Sequence, residues 1–105
     1  MSEITPNELK ARLERNDRPL LLDVRQDWET KLCRLENAVH IPIEEIELRT
    51  EELNPDDEIV VHCKMGGRSA KAADFLRSVG FKRVLNLKGG ILDWIDKVDP
   101  SQPKY

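Results

Sequence analysis

Cysteine and long apolar runs are scarce in this sequence. Only two cysteines, Cys33 and Cys63, occur among 105 residues, too few for a disulfide framework or a cysteine-based metal site. We therefore expect no bound metal and a reducing, cytoplasmic location. No apolar run approaches the roughly 20 residues that span a bilayer, and the first residues lack the basic-then-apolar pattern of a secretory signal. The sequence thus predicts no membrane association.

Positive charge is also in short supply. The chain has 17 lysines and arginines against 20 acidic residues, a net charge of −3, which argues against nucleic acid as a partner. No glycine motif for ATP occurs, and we expect no cofactor. The length suits a single domain over residues 1–105, with a proline-containing C-terminal tail over residues 99–105.

Short apolar runs alternate with helical patterns along the chain. Thr5 and Glu8 form a capping box that predicts a helix start. This alternation predicts an α/β fold, a mostly parallel sheet with helices on both faces. The predicted strands are Leu20–Val24, Ala38–Ile41, Glu58–His62 and Lys82–Leu87; helical patterns occupy 43–53, the segment from Gly67 to Gly80, and the segment after Gly89, while 27–35 is a short helix or ordered loop.

The segment after the third predicted strand indicates an anion-binding site. Cys63 is placed at the carboxyl end of that strand, where ligands bind in parallel sheets. The backbone N–H groups of residues 64–69 can point inward, Gly66 and Gly67 supply backbone freedom, and a helix start adds partial positive charge. These features predict a lowered pKa for the Cys63 thiol.

The charge around this cysteine is locally positive. Lys64, Arg68 and Lys71 lie between His62 and Ala73, with no acidic residue in that segment. A basic entrance on an acidic protein is suited to attracting a small anionic donor. An inert buried thiol on an ordinary strand-to-helix turn is the alternative that these coinciding features disfavour.

Four segments in the same order resemble the rhodanese sulfurtransferases. They are Asp23–Arg25, Ala38–Pro42, the loop Cys63–Ser69, and Leu87–Ile91 followed by Trp94. The resemblance implies a rhodanese-like fold of about five parallel strands flanked by helices. It implies that Cys63 is the catalytic nucleophile and that Lys64, Met65, Gly66, Gly67, Arg68 and Ser69 bind substrate.

The length of the loop separates two chemistries. Related phosphatases and arsenate reductases place five residues between cysteine and arginine, whereas four separate Cys63 from Arg68. A smaller ring of N–H groups suits one sulfur atom rather than a tetrahedral oxyanion. We therefore expect transfer of a sulfane sulfur from thiosulfate or a persulfide to a thiophilic acceptor through a Cys63 persulfide, and the loop length counts against a phosphatase or arsenate reductase.

Two further segments resemble a narrower group of enzymes: Cys33–Leu35, which precedes Ala38, and the chain end Asp93–Tyr105. In these enzymes an adenylyltransferase domain precedes a rhodanese domain that serves ubiquitin-like sulfur carriers. This implies a carrier of that kind, or a cysteine desulfurase, as a partner. A relay or docking module with little small-molecule turnover is the competing function, and the chain is either a stand-alone relative or an excised domain.

Several other residues carry weaker expectations. Asp23 and Arg25 are expected to support the cysteine loop through hydrogen bonds, with substrate binding as the alternative. Cys33 is either a small buried hydrophobe or a resolving thiol. Trp28 and Trp94 are expected to pack in the interior. The histidine residues are expected to be structural: His40 in a hydrogen bond, and His62 facing away from its neighbour Cys63.

Overall fold

A computed structural model describes residues 2–105 of the protein; Met1, with which the predicted domain begins, lies outside the described residues. Strands and helices alternate as the sequence predicts. The strands are β1 (Glu3–Ile4), β2 (Leu20–Asp23), β3 (Val39–His40), β4 (Glu58–His62) and β5 (Arg83–Leu87). The α-helices are α1 (Pro6–Glu14), α2 (Asp27–Thr30), α3 (Ile46–Arg49), α4 (Gly67–Ser78) and α5 (Gly90–Lys97), and 3-10 turns at Ile43–Glu45 and Thr50–Glu52 flank α3.

The five strands form one parallel sheet in the order β1-β5-β4-β2-β3. This confirms the predicted α/β architecture. Strand β1 has only two residues and no recognisable pattern, yet it is anchored on β5 by bonds from Asn86 N to Ser2 O and from Lys88 N to Ile4 O, both 2.8 Å. Strand β4 lies at the centre, so the residue that follows it is covered from both sides.

Two apolar clusters cover the opposite faces of the sheet. Alternate residues of β4 divide between them, with Val61 on one face and Val60 on the other. Helices α3 and α4 cover the Val61 face, and α1 and α5 cover the Val60 face. Such unbroken apolar strands are typical of a parallel sheet that is covered on both sides.

A local signal explains the start of α1. Thr5 caps α1 and Glu8 completes the predicted capping box. The predicted helix over 43–53 is instead two 3-10 turns around a single α-helical turn.

The expectation that Trp28 is interior is wrong, because its side chain is 61% exposed, whereas Trp94 is buried. In residues 2–105, no helix has the length and apolarity to cross a membrane.

Helix α5 begins in tight contact with the cysteine loop. Ile91 N donates to Cys63 O at 2.9 Å and Leu92 N donates to Lys64 O at 3.2 Å. Gly90 has a φ of +64°, and a Cβ at this position would lie 2.7 Å from Met65 N and against Lys64 O. Only glycine therefore lets α5 approach the loop this closely.

This approach predicts a graded series of alanine substitutions. Gly90→Ala is expected to destabilise the protein by about 3 kcal/mol, because it adds a backbone clash to left-handed strain. Gly80→Ala, at φ +102° in open space, is expected to cost about 1 kcal/mol. Gly67→Ala, helical and uncrowded, should be nearly neutral. Urea unfolding of the three variants measures this order, and a Gly90→Ala cost equal to that of Gly80→Ala would contradict the role of close approach.

Candidate active site

The Cys63 thiol lies at the carboxyl end of β4 beneath the start of α4. Its residue is 1% exposed. Gly66 N donates to Sγ at 3.1 Å and Ser69 N donates at 3.4 Å. Gly66, with φ +112°, precedes the first helical residue, so the loop turns its amides inward where the helix begins. The sulfur thus sits against converging N–H donors, as the loop pattern predicts.

Two opposing effects set the ionisation of Cys63. Burial favours the neutral thiol and tends to raise its pKa. Hydrogen bonds from the Ser69 hydroxyl and from the backbone N–H groups of Ser69, Gly66 and Met65 outweigh burial, so that the pKa lies below its ordinary value. The direction agrees with the expectation from the sequence, and it increases the thiolate fraction at neutral pH.

Ser69 connects the sulfur to a residue that sequence analysis did not single out. Its Oγ lies 3.3 Å from Cys63 Sγ and donates to Asn86 Oδ1 at 2.5 Å. Asn86 in turn donates from Nδ2 to Gly66 O at 3.2 Å. Cys63, Ser69, Asn86 and Gly66 therefore form a closed ring of hydrogen bonds, in which Ser69 and Asn86 are buried.

The ring contains a competition for one proton. A serine hydroxyl has a single hydrogen, so Ser69 cannot donate to Asn86 and to Cys63 at once. Gly66 O, which also accepts from Ala70 N, can only accept hydrogen bonds, and this orients the Asn86 amide with its nitrogen toward Gly66 and its oxygen toward Ser69. The neutral thiol can donate a hydrogen bond to Ser69 Oγ. The thiolate can accept a hydrogen bond from the Ser69 hydroxyl only when that hydroxyl turns away from Asn86. The register pairing Asn86 with Val61 puts this amide on the Cys63 face.

The guanidinium of Arg68 is held by an acidic residue from another part of the chain. Arg68 Nη1 and Nη2 contact Glu29 Oε1 and Oε2 at 2.6 and 2.8 Å, a bidentate pair. Glu29 lies in α2 and is only 3% exposed. Arg68 lowers the pKa of Glu29 to about 2 despite burial. The predicted basic entrance is thus only partly correct, because Glu29 cancels one of its positive charges.

The chain end contributes to the same cluster. Tyr105 donates to Glu29 Oε2 at 2.6 Å and accepts from Arg25 Nη1 at 3.2 Å. Burial and the Glu29 carboxylate, opposed by Arg25, raise the pKa of Tyr105 to about 12. Residues 99–105, expected to be a tail, therefore pack against α2 through Tyr105. Gln102 also bonds to the backbone of Arg34.

Asp23 and Arg25 form a buried ion pair near this cluster. Asp23 accepts from Arg25 Nη2 at 2.7 Å and from Arg25 N at 3.0 Å. Arg25 also donates to the carbonyl oxygens of Glu29 and Cys33. Among residues 2–105, neither side chain forms a hydrogen bond with the segment 63–69, and their contacts brace α2 and the residues after it. A chain of contacts through Tyr105, Glu29 and Arg68 connects them to the loop, so their support of the loop stays a prediction.

The rim of the site is partly apolar. Met65 is 69% exposed and belongs to the cysteine loop itself. Lys64 Nζ lies 4.7 Å from the centre of the Tyr105 ring, and Trp28 meets that ring edge to face at 6.0 Å. Lys64 forms no ion pair with any residue in the range 2–105. One cation without an ion pair among residues 2–105 and three large side chains therefore surround the entrance.

The remaining expectations concern His40, His62 and Cys33. His40 Nε2 lies 2.6 Å from Arg25 O, as expected of a structural residue. His62 is fully buried on the other face of the sheet, with Nε2 3.4 Å from Asp23 Oδ2. Cys33 belongs to the Val60-face cluster and Cys63 to the Val61-face cluster. The intervening sheet rules out a disulfide between them in this fold.

A large concavity of the structure lies away from Cys63. A groove of about 1100 Å³ lies at the amino ends of β2, β4 and β5, with Leu20, Glu58 and Arg83 in its wall. It includes no residue of the segment 63–69. Chemistry rather than cavity size therefore locates the candidate site. Within residues 2–105, no three histidine, cysteine or acidic side chains are grouped to hold a metal ion.

Comparisons with known proteins agree with this geometry. The family model of the rhodanese-like domain matches residues 5–97. A sulfurtransferase of Allochromatium vinosum is 35% identical over 94 residues, which are 90% of this chain and 88% of that protein. A rhodanese-like domain protein from Staphylococcus aureus has a solved structure that superposes with a TM-score of 0.86, at 33% identity, covering 93% of this chain and 95% of that one.

Other relatives are longer than this chain. YrkF of Bacillus subtilis, named as a candidate sulfur carrier protein, is 37% identical over 97 residues; the chain is 92% covered but spans only about half (52%) of that protein. The adenylyltransferase and sulfurtransferase MOCS3 of Arabidopsis thaliana is 28% identical over 120 residues, covering 99% of this chain and 26% of that protein. The expected similarity to such fusion enzymes is confirmed.

The hydrogen-bond ring predicts how two substitutions change the Cys63 thiol. Ser69→Ala removes a donor to the sulfur and should raise the Cys63 pKa by about half a unit to one unit. In Asn86→Asp, the carboxylate binds the Ser69 hydroxyl proton more strongly and places a negative charge near the sulfur. This substitution should raise the Cys63 pKa by roughly one unit or more. The pH dependence of alkylation at Cys63, followed by peptide mass, measures both shifts.

Ser78→Ala is the matched control for this prediction. Ser78 is also in α4, but its hydroxyl bonds to Phe75 O at the far end of the helix. Its removal should leave the Cys63 titration unchanged. An Asn86→Asp variant that titrates like the wild type would show that Asn86 does not compete for the Ser69 proton.

Proposed function

The chain belongs to the rhodanese-like domain family of sulfurtransferases and sulfur carriers, and on this premise we propose that it transfers sulfane sulfur through a persulfide on Cys63. The observation that carries the proposal is the buried Cys63 sulfur with converging N–H donors and a lowered pKa. A thiolate is the reactive form in sulfur exchange.

The first half-reaction loads the cysteine. The Cys63 thiolate attacks the terminal sulfur of a donor, and a new S–S bond forms. The bond within the donor breaks, and its electron pair leaves with the remainder, as sulfite from thiosulfate or as a thiolate from a thiol persulfide. Cys63 then carries one additional sulfur, which the N–H groups of residues 64–69 stabilise.

The second half-reaction regenerates the thiolate. A thiophilic acceptor, such as cyanide in an assay, attacks the outer sulfur. The Cys63–sulfur bond breaks, its electron pair returns to Sγ, and thiocyanate leaves. Because the enzyme alternates between two covalent states, the kinetics are of the ping-pong type. Lys64 steers anionic donors to the entrance, and no general base is needed for an ionised thiol.

Loop length supports sulfur over phosphate as cargo. Cys63 and Arg68 enclose four residues, and Gly66 and Ser69 already direct their amides at a single sulfur position. A phosphoryl group presents three equatorial oxygens that need a wider ring of donors. A phosphatase or arsenate reductase is therefore disfavoured.

A protein partner is a second candidate for the natural donor or acceptor. The apolar rim of Trp28 and Met65 favours it, because exposed tryptophan and methionine are enriched at protein interfaces. YrkF and MOCS3, by their names, are a candidate carrier and an adenylyltransferase and sulfurtransferase. In this variant of the function, a ubiquitin-like sulfur carrier or a cysteine desulfurase exchanges sulfur with Cys63.

Intact mass after incubation with a sulfur donor tests the persulfide. The wild type is expected to gain about 32 Da per sulfur, and Cys63→Ser should gain nothing, because serine cannot form the S–S bond. Cys33→Ser is the matched control and should load like the wild type. Thiocyanate formation from thiosulfate and cyanide should likewise vanish only in Cys63→Ser. Undiminished turnover in that variant would overturn the assignment of Cys63.

A further inference from the structure

The bidentate contact with Glu29 occupies the terminal edge of the Arg68 guanidinium and neutralises its charge. Both terminal nitrogens of the guanidinium are within 2.8 Å of the two carboxylate oxygens. An oxyanion such as the sulfonate end of thiosulfate is left with the remaining N–H donors of Arg68, and it meets an ion pair without net charge rather than a free cation. The cation that the sequence assigns to anionic donors is thus already in use.

Glu29 is itself held in place by other donors. Tyr105 OH binds one carboxylate oxygen at 2.6 Å, and Gln26 N binds the other at 2.9 Å. Glu29 is almost fully buried. If a donor anion drew Arg68 away, a buried carboxylate would lose the one cation that contacts it among residues 2–105, and such a change is strongly unfavourable. The pair should therefore persist while a donor binds.

Charge balance around the site points the same way. Asp23, Arg25, Glu29 and Arg68 form an alternating series of charges that is neutral as a whole, with the Tyr105 hydroxyl between its two pairs. Lys64 is left as the cation at the rim without an ion pair among residues 2–105. A dianionic donor with its charge on several oxygens gains little electrostatic attraction here, and the Glu29 carboxylate repels it.

We infer that Glu29 is a specificity-determining residue, which disfavours donors that leave as an oxyanion and favours thiol persulfides. The inference rests on the proposed function. In both cases Cys63 gains one sulfur; thiosulfate releases sulfite, whose oxygens need cationic donors, whereas a thiol persulfide releases a thiolate whose organic part can contact the apolar rim. Glu29 acts through Arg68, because its carboxylate neutralises the guanidinium charge that would otherwise stabilise the sulfite oxygens.

Glu29→Gln tests the inference, since the amide keeps the shape and an acceptor oxygen for Tyr105 but removes the charge. The measured quantity is the rate constant for loading Cys63, followed by the mass gain, with thiosulfate and with the persulfide of 2-mercaptoethanol. The ratio of the two rate constants should rise in favour of thiosulfate by about tenfold. A ratio is independent of the folded fraction and of any change in Cys63 ionisation that affects both donors equally.

Two controls isolate the effect. Glu58→Gln removes a carboxylate that is also paired with an arginine, Arg12, but at the opposite end of β4, and it should leave the ratio unchanged. Glu29→Gln combined with Arg68→Gln should return the ratio close to the wild-type value, because the released guanidinium is then absent.

The outcomes separate this inference from the proposed function. If both donors load the wild-type Cys63 and Glu29→Gln leaves their ratio unchanged, the inference is overturned and the sulfurtransferase function stands. If the double variant keeps the full gain, Glu29 does not act through Arg68, and the inference is also overturned. If neither donor adds sulfur to Cys63 in any variant, the proposed function fails and the inference falls with it.

Discussion

A buried thiol can ionise only if the surrounding protein replaces the solvation that burial removes. At Cys63 the replacement comes from the backbone, through the amides of the loop and of the first turn of α4, together with the Ser69 hydroxyl. These donors converge only if the loop has one particular backbone path. The central place of β4, the left-handed Gly66 and the close approach of α5 all serve that path.

A second constraint is the neutrality of the buried charges beside the site. Asp23 and Glu29 are each paired with an arginine, and Tyr105 links the two pairs. Two of these residues, Asp23 and Arg25, were assigned to the loop from the sequence, and the contacts that connect them to it are indirect. They hold α2 and the chain end where Glu29 can reach Arg68, so a residue far from the cysteine in the chain sets the charge that a substrate meets.

How much of the fold and of the site the sequence predicts depends on how far apart in the chain the interacting residues lie. The cysteine loop and the capping box of Thr5 and Glu8 are local patterns, and the sequence predicted both. Strand β1 has two residues and is defined by its partner β5, so no local pattern indicated it. Glu29 and Tyr105 needed knowledge of which segments meet across 39 and 76 positions. Asn86 could have been singled out from the sequence, because it is a polar residue between Leu85 and Leu87 in a predicted strand.

The contact between α5 and the loop has a consequence for how recognition can vary. The amides of Ile91 and Leu92 donate to the carbonyl oxygens of Cys63 and Lys64. These carbonyl groups therefore point toward α5, whereas the N–H groups of Gly66 and Ser69 point toward the sulfur. Affinity for a charged sulfur therefore rests on the main chain and the Ser69 hydroxyl. The side chains at positions 64 and 65 take no part in those hydrogen bonds, so recognition of a partner can change there without rebuilding the reactive centre.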